Sequence, residues 1–286
     1  MRKNFISNDA VFFITGCSSG FGRAMAEYVA KSGFNLVATA RNVDSLSFLA
    51  PYKNVLCVEL DVTKIDTIKS AVAAAVARFG KIDILINNAG INYITDIENM
   101  EQDKMRALFE TNIIGQINTT REILPYIPDN KKSAVVNVSS MSGLETGYGT
   151  ILYGISKHAV NGLTQGLRNT SHCKFRAMSV NPGKYATDIR KNSLENPGLD
   201  KEEILKSYHS QYLGDVEIAA QDIINAIARD KELPLYMVLG HKAMKRYKKL
   251  IREVRGDLKY LQKLPTNREK ENPIRRLLRH IRKRKF

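Results

Sequence analysis

Six short β-branched runs alternate with stretches of helical period along the first 240 residues of this 286-residue chain. That alternation narrows the fold more than any other feature. Residues 11–15, 35–40, 55–60, 82–86, 134–139 and 176–180 read as strands, and 235–239 as a last one. Most are continuous apolar runs, the pattern of strands covered on both faces. Between them, Phe21, Ala24, Met25, Tyr28 and Val29 recur at i, i+3, i+4, i+7 and i+8 and mark one face of a helix. Residues 63–79, 103–127, 152–169 and 216–228 follow the same period. The alternation predicts an α/β architecture, a doubly wound parallel sheet with helices on both faces. Right-handed crossovers would gather the ligand-binding loops at the carboxyl ends of the strands.

Charge divides the chain. Residues 241–286 hold 18 Lys and Arg against 4 Asp and Glu, a net +14, whereas the first 240 hold 26 against 25, a net +1. We therefore divide the chain into a catalytic-size domain, 1–240, and a basic helical extension, 241–286. In the extension, Met244, Tyr247, Ile251, Val254, Leu258 and Leu261 follow a 3-4 spacing, a seam for the body or for a partner helix. After the break between Pro265 and Pro273, Ile274, Leu277, Leu278 and Ile281 recur at i, i+3, i+4 and i+7 among seven Lys and Arg. A basic amphipathic helix of this kind lies on anionic membrane surfaces; a solvated basic end, or a site for an acidic protein or nucleic acid, are its alternatives, nucleic acid the least expected.

Cys17, Cys57 and Cys173 are far apart, and no His pair has zinc spacing. Neither a disulfide framework nor a metal site is expected, and a reducing, cytoplasmic location is, with peripheral contact at the inner membrane surface as a possibility of the basic end. The first apolar run is too short for a signal peptide and leads into a glycine loop. No run reaches the roughly 20 apolar residues that span a bilayer.

That loop is T-G-C-S-S-G-F-G, Thr15 to Gly22. It follows the first strand and opens the first helix. Its glycines let backbone approach a pyrophosphate, and the helix N-terminus offers free N–H groups. Gly16, Ser18, Ser19, Gly20, Phe21 and Gly22 are the candidate phosphate contacts. The second strand ends on Arg41, with no acid between Lys31 and Val43 to take a ribose 2′-hydroxyl. A guanidinium there suits a 2′-phosphate and predicts NADP(H) over NAD(H).

Tyr153 and Lys157 stand at i and i+4 on a helix and share a face. A free phenol, with a pKa near 10, exchanges protons poorly at neutral pH. An ammonium ~4 Å away supplies roughly 4 kcal/mol at an effective dielectric of 20, about the amount needed to bring it near 7. Ser139 and Ser140 end the fifth strand, where ligands bind in such sheets.

Together these motifs resemble the short-chain dehydrogenase/reductase family. T-G-x-x-x-G-x-G (15–22), N-N-A-G (87–90), Ser140, Y-x-x-x-K (153–157) and P-G-x-x-x-T (182–187) stand in order across roughly residues 8–240. The resemblance implies a Rossmann-like seven-stranded sheet and an oxidoreductase moving hydride between NAD(P) and a carbonyl or alcohol carbon. It implies Tyr153 as general acid/base, Lys157 as the group that lowers its pKa and holds the nicotinamide ribose, and Ser140 as the holder of the substrate oxygen. Asn112 in T-N-I-I-G resembles the anchor of a proton-relay water. Asp61 would meet the adenine, with Val62 beside it a further cofactor contact, Asn88, Ala89 and Gly90 the adenosine ribose, and Pro182, Gly183 and Thr187 the nicotinamide. Homo-oligomers are common in the family.

Substrate residues are less defined. Ile91, Asn92, Tyr93, Met141, Lys184 and above all Tyr148 and Tyr185, beside Ser140 and Tyr153, are candidates by position, with 186–214 as a variable lid. Family members with a similar A-T-A-R strand ending handle steroids, retinoids and other lipophilic carbonyls. The alternatives are a 3-oxoacyl-thioester ketoreductase serving an acyl carrier protein, and a cofactor-sensing binding protein on the same scaffold. The extension argues against the first; Ser140, Tyr153 and Lys157 together argue against the second.

Overall fold

A computed structural model of the chain describes residues 4–147, 149–170, 174–187, 189, 213–262 and 264. Seven parallel strands form one sheet in the order β3-β2-β1-β4-β5-β6-β7. They are β1 (Val11–Ile14), β2 (Asn35–Ala40), β3 (Val55–Glu59), β4 (Ile84–Asn87), β5 (Ala134–Val138), β6 (Arg176–Pro182) and β7 (Tyr236–Leu239). The order reverses between β1 and β4, so the loops after these two strands face each other across a crevice. This is the expected doubly wound, Rossmann-like sheet, and its edges lie within two residues of the sequence reading at every strand.

The helices are α1 (Gly20–Lys31), α2 (Ile65–Phe79), α3 (Gln102–Phe109), α4 (Gly115–Ile123), α5 (Ile151–Thr170), α6 (Val216–Arg229) and α7 (His241–Leu261). Alternate strand residues point to opposite faces. Phe12, Ile14, Leu36, Ala38 and Val136 face α1 and α6, meeting Met25, Val29, Ile223 and Ile227. Val11, Phe13, Val37, Leu85 and Val135 face the other layer, with Ile68, Val72 and Ala75 of α2. Continuous apolar runs are thus explained by two cores, one on each face. The edge strand β3 departs from that pattern: none of its residues is fully buried, because it has a neighbour on one side only.

The layer that carries α5 is polar where it meets the sheet. Asn87 donates to the Asn137 Oδ1 atom and to Thr120, and Asn137 donates to Thr164, each at 2.9 Å. Asn161 of α5 donates to the Gly143 carbonyl at 2.8 Å and to Asn181 at 3.2 Å, and accepts from Ser179 at 2.5 Å. These bonds pair most of the buried amide groups, with Asn87 Oδ1 left without a partner, and fix α5 in rotation over β5 and β6.

The single helix expected over 103–127 is interrupted. Between α3 and α4 the turn Glu110–Ile114 widens to i→i+5 bonding, and Leu124–Tyr126 closes the segment as a tight 3-10 turn around Pro125. The widened turn coincides with Asn112, whose amide turns to the backbone of Ile91, and precedes Gly115, where a Cβ would lie 2.8 Å from Val62. Such one-turn insertions re-aim a side chain within a helix.

The chain clusters into two compact units, Met1–Met244 and Lys245–Phe286. The sequence division at 240 lies one residue before α7, and the boundary between the units falls within that helix's residue range. Among the described residues no helix is long and apolar enough to cross a membrane. The second basic amphipathic stretch, 274–281, Tyr148 and nearly all of the expected lid lie outside the described residues.

Candidate active site

The loops after β1 to β6 enclose one cleft of about 600 Å³. Seventeen of the expected site residues line it: Gly16, Ser18, Ser19, Gly20, Phe21, Arg41, Asp61, Val62, Asn88, Ala89, Gly90, Ser140, Tyr153, Lys157, Pro182, Gly183 and Thr187. The parallel sheet brings them together because each follows the carboxyl end of a strand or faces one from α5.

The glycine loop owes its shape to close backbone packing. Gly16 has φ +72°, and a Cβ there would lie 2.9 Å from the Ala89 Cα. A Cβ on Gly22 would lie 2.1 Å from the Gly16 carbonyl oxygen, so Gly22 stands behind the wall and lets α1 approach the loop. Asn88 braces the turn, donating to the carbonyls of Thr15 and Gly16 at 2.9 and 3.0 Å. Thr15 accepts in return from the N–H groups of Asn88 and Ala89 at 2.9 and 3.0 Å. At the N-terminus of α1, Ser19 makes no side-chain cap bond and the first turn carries no acid. Uncapped N–H groups and a positive dipole end facing a cleft fit an anionic pyrophosphate.

Arg41 is exposed and lines the cleft beside Asp61. Burial pushes the Asp61 carboxyl up, but the Thr63 N–H and hydroxyl and the charges of Arg41 and Lys64 outweigh it and hold it below the ordinary value. Both Thr63 bonds go to one carboxylate oxygen, at 3.0 and 2.7 Å.

Lys157 is buried on the inner face of α5, and its ammonium donates to the Val138 carbonyl at 2.9 Å. Burial lowers its pKa to about 8. Its Nζ atom lies 5.6 Å from the centre of the Tyr153 ring. That contact sets the ammonium beside the ring, and for a phenolate oxygen ~4–6 Å from such a charge the Coulombic effect is roughly 3–4 kcal/mol at an effective dielectric of 20. Ser140 caps the short turn Met141–Gly143 by accepting from the Ser142 N–H at 3.1 Å, a bond that leaves its hydroxyl proton to donate elsewhere. Ser139 instead donates to the Lys157 carbonyl at 2.9 Å and is buried, so the two serines have different partners.

Asn112 is fully buried behind the cleft. It accepts from the Ile91 N–H at 2.8 Å and donates to the Ile91 carbonyl at 2.9 Å and to Ser156 at 3.1 Å. Ser156 donates in turn to the Tyr153 carbonyl at 2.7 Å. Asn112 thus ties the loop after β4 to the helix of the Tyr–Lys pair. Gly90 leaves room for both: a Cβ there would sit 3.2 Å from Asn112 Oδ1 and 3.5 Å from Lys157 Nζ.

The expected substrate contacts fare less well. Tyr185 does not line the cleft. Its ring packs edge-on against Phe21, with centroids 5.0 Å apart, and so close over Gly214 that a Cβ there would come within 2.4 Å. The bridge between Tyr185 and Gly214 turns the ring to that apolar contact. Asn92, Tyr93 and Met141 are buried and are not part of this cleft's lining, the Tyr93 hydroxyl accepting from the Glu101 N–H at 2.9 Å. Ile91 does line the cleft, joined by Ala107, Thr111, Val138 and Ile189, which the motifs did not mark. Ala107 and Thr111 are one helical turn apart, the only sequence signal that pairs them. Among the described residues no cluster of His, Cys, Asp and Glu could hold a metal. Cys17, inside the loop, is buried, donates to the Ile14 carbonyl, and is pushed up to about 12 by burial.

A parallel sheet reversing at β1 and β4, a glycine loop at the first crossover and a Tyr–Lys pair beside a serine define a nucleotide-binding α/β oxidoreductase. The chain belongs to the short chain dehydrogenase family, whose profile matches residues 10–198. It is 38% identical over 218 residues to the oxidoreductase YusZ of Bacillus subtilis, covering 72% of this chain and 75% of that one. It is 30% identical over 263 residues to oxidoreductase calM of Penicillium decumbens, covering 84% and 86%. Among solved structures, a short-chain dehydrogenase from Streptomyces avermitilis superposes with a TM-score of 0.77 at 30% identity, over 89% of this chain and 97% of that one. A family member from Burkholderia phymatum in complex with NAD superposes with a TM-score of 0.75 at 25% identity, over 90% and 96%.

Proposed function

We propose that this short-chain dehydrogenase interconverts a lipophilic carbonyl compound and its alcohol, in the cytoplasm, with NADP(H) as cofactor. The observation that carries the reading is the Tyr153–Lys157 pair facing the same cleft as Ser140 and the uncapped start of α1. The NAD-bound relative supports a nicotinamide cofactor, which when bound supplies or takes up the hydride.

In this reading Ser19, Gly20 and the first turn of α1 hold the pyrophosphate, and Asp61 the adenine, with Val62 a further cofactor contact. Asn88, Ala89 and Gly90 line the ribose side, and Pro182, Gly183 and Thr187 border the nicotinamide. The exposed Arg41 guanidinium pairs with a 2′-phosphate, which is the basis for preferring NADP(H). Ser140 donates to the substrate oxygen. Tyr153 gives that oxygen a proton in reduction and removes it in oxidation, and Lys157 stabilises the phenolate by its charge. Asn112 anchors the path that refills the proton. The apolar wall of Ile91, Ala107, Val138 and Ile189 supports a lipophilic substrate. Free Cys17 and Cys57 are consistent with a reducing compartment.

The test is NADPH against NADH consumption with a panel of lipophilic ketones and aldehydes plus a 3-oxoacyl thioester. NADPH is expected to be preferred about tenfold or more, with Arg41→Leu erasing the preference. Tyr153→Phe is expected to lower turnover about a thousandfold while leaving cofactor binding intact. Turnover confined to the thioester moves the protein to acyl-carrier ketoreduction, and cofactor binding without any turnover to a sensor. Activity of Tyr153→Phe above a few per cent of the parent, on the order of what the acid/base role forbids, removes that role.

A further inference from the structure

We propose that α7 is a docking surface for an anionic phospholipid membrane. At 100° per residue, Tyr247, Leu250, Ile251, Val254, Leu258 and Leu261 fall within one arc of about 100°. Arg255 and Lys248 flank one border of that arc and Arg252 and Lys245 continue onto the far face, while Asp257, Arg246 and Glu253 flank the other border. The helix carries a marked excess of cations, Glu253 and Asp257 being its acids, and Glu253 pairs with Lys249 at 3.6 Å. Val254, Leu258 and Leu261 are 58, 53 and 42% exposed, so three consecutive turns present aliphatic groups to water.

An apolar stripe on a helix whose polar face is rich in Lys and Arg is the pattern of a helix that lies in the membrane interface. The stripe enters the acyl boundary and the long basic side chains reach back to phosphates. A nucleic acid would recruit the cations and leave the stripe without a purpose. An antiparallel second copy of the helix would set the Lys248 and Arg255 border against itself, and a second copy in either sense would leave the cations of the far face unanswered. Residues 263–286 continue the charge, with ten Lys and Arg against two Glu. An anionic surface answers both features at once. A carbonyl substrate dissolved in lipid would then reach the enzyme without crossing water, although the docking does not depend on the substrate.

The experiment is co-sedimentation of the full-length chain with phosphatidylcholine vesicles, with and without phosphatidylglycerol, at low and physiological salt. Binding is expected only to the anionic vesicles and is expected to weaken with salt. Each neutralised cation should cost roughly fivefold, so Lys248→Gln with Arg252→Gln and Arg255→Gln should lower partitioning about a hundredfold. Val254→Gln with Leu258→Gln should lower it at least about tenfold by removing the buried stripe. Thermal midpoints and NADPH binding should match the parent in both variants. Absence of binding to anionic vesicles overturns the proposal. So does unchanged binding of the Val254→Gln, Leu258→Gln variant, which would leave charge adsorption alone. Tight binding of a DNA duplex without vesicle binding would assign the surface to nucleic acid and overturn it as well.

Discussion

Replacing Lys157 by Met removes a charge and keeps most of the side-chain volume. In the native chain the ammonium lies 5.6 Å from the Tyr153 ring centre. The phenolate charge sits on the oxygen at the ring's edge, and at ~4–6 Å and an effective dielectric of 20 such a pair is worth roughly 3–4 kcal/mol, or about two to three pH units of proton affinity. The readout is the pH dependence of kcat for alcohol oxidation at saturating NADP+, using the fastest substrate of the panel. Oxidation needs the phenolate, so the rate rises with pH along an acidic limb. Lys157→Met should move that limb up by about two to three units. Because Lys157 itself is lowered to about 8, the native limb belongs to the coupled pair rather than to either group. The same variant has a stability signature. Burial depresses Lys157 in the fold from 10.5 to about 8, so between these values the unfolded chain holds more protons. The native burden, about 3 kcal/mol and fully present below 8, is relieved as pH rises through that window. The stability difference between parent and variant should therefore shift toward the parent from pH 8 to 10.5 in urea titrations. A pH–rate limb identical in the two proteins would refute the charge argument, whatever the loss of rate.

Two further outcomes test the scaffold. Gly22→Ala forces a Cβ to within 2.1 Å of the Gly16 carbonyl and 2.4 Å of the Asn88 amide. NADPH affinity, read by fluorescence titration, should fall about tenfold or more, whereas Gly162→Ala, which meets nothing within 4 Å on α5, should bind normally and gain up to ~1 kcal/mol. Equal affinity of the two variants would mean that the loop tolerates displacement. Asn161→Leu leaves the Gly143 carbonyl, Asn181 Oδ1 and the Ser179 hydroxyl without their partner. Stability in urea should drop by about 3 kcal/mol or more, and a drop below ~1 kcal/mol would show that the network relaxes around the change.

Much of the site was legible because its chemistry is local. Thr15 to Gly22 occupy one turn, and Tyr153 and Lys157 one helical face, so spacing alone brings these side chains near each other. Arg41 and Asp61 were legible for another reason: strand ends in a parallel sheet converge on one edge. What failed was position without periodicity. Tyr185 follows Pro182 and Gly183 closely enough to suggest the substrate, yet a bridge to Gly214, almost thirty residues on, turns its ring onto Phe21. The widened turn at Asn112 was equally hidden. Helical period runs through 103–127 with only a small offset, and the insertion is set by bonds to Ile91, which the period does not encode.

The sequence by itself determined the sheet, the layers and the order of the loops. Period and β-branched runs act through neighbours a few residues apart, and right-handed crossovers leave one way to wind them. Tertiary structure alone decided how the site is tuned. The depth of Lys157 and its distance from Tyr153, the bracing of the glycine loop by Asn88, and the different partners of Ser139 and Ser140 all depend on groups from distant strands meeting at one edge. Burial and distance set a charge's energy, and neither is a property of a linear neighbourhood.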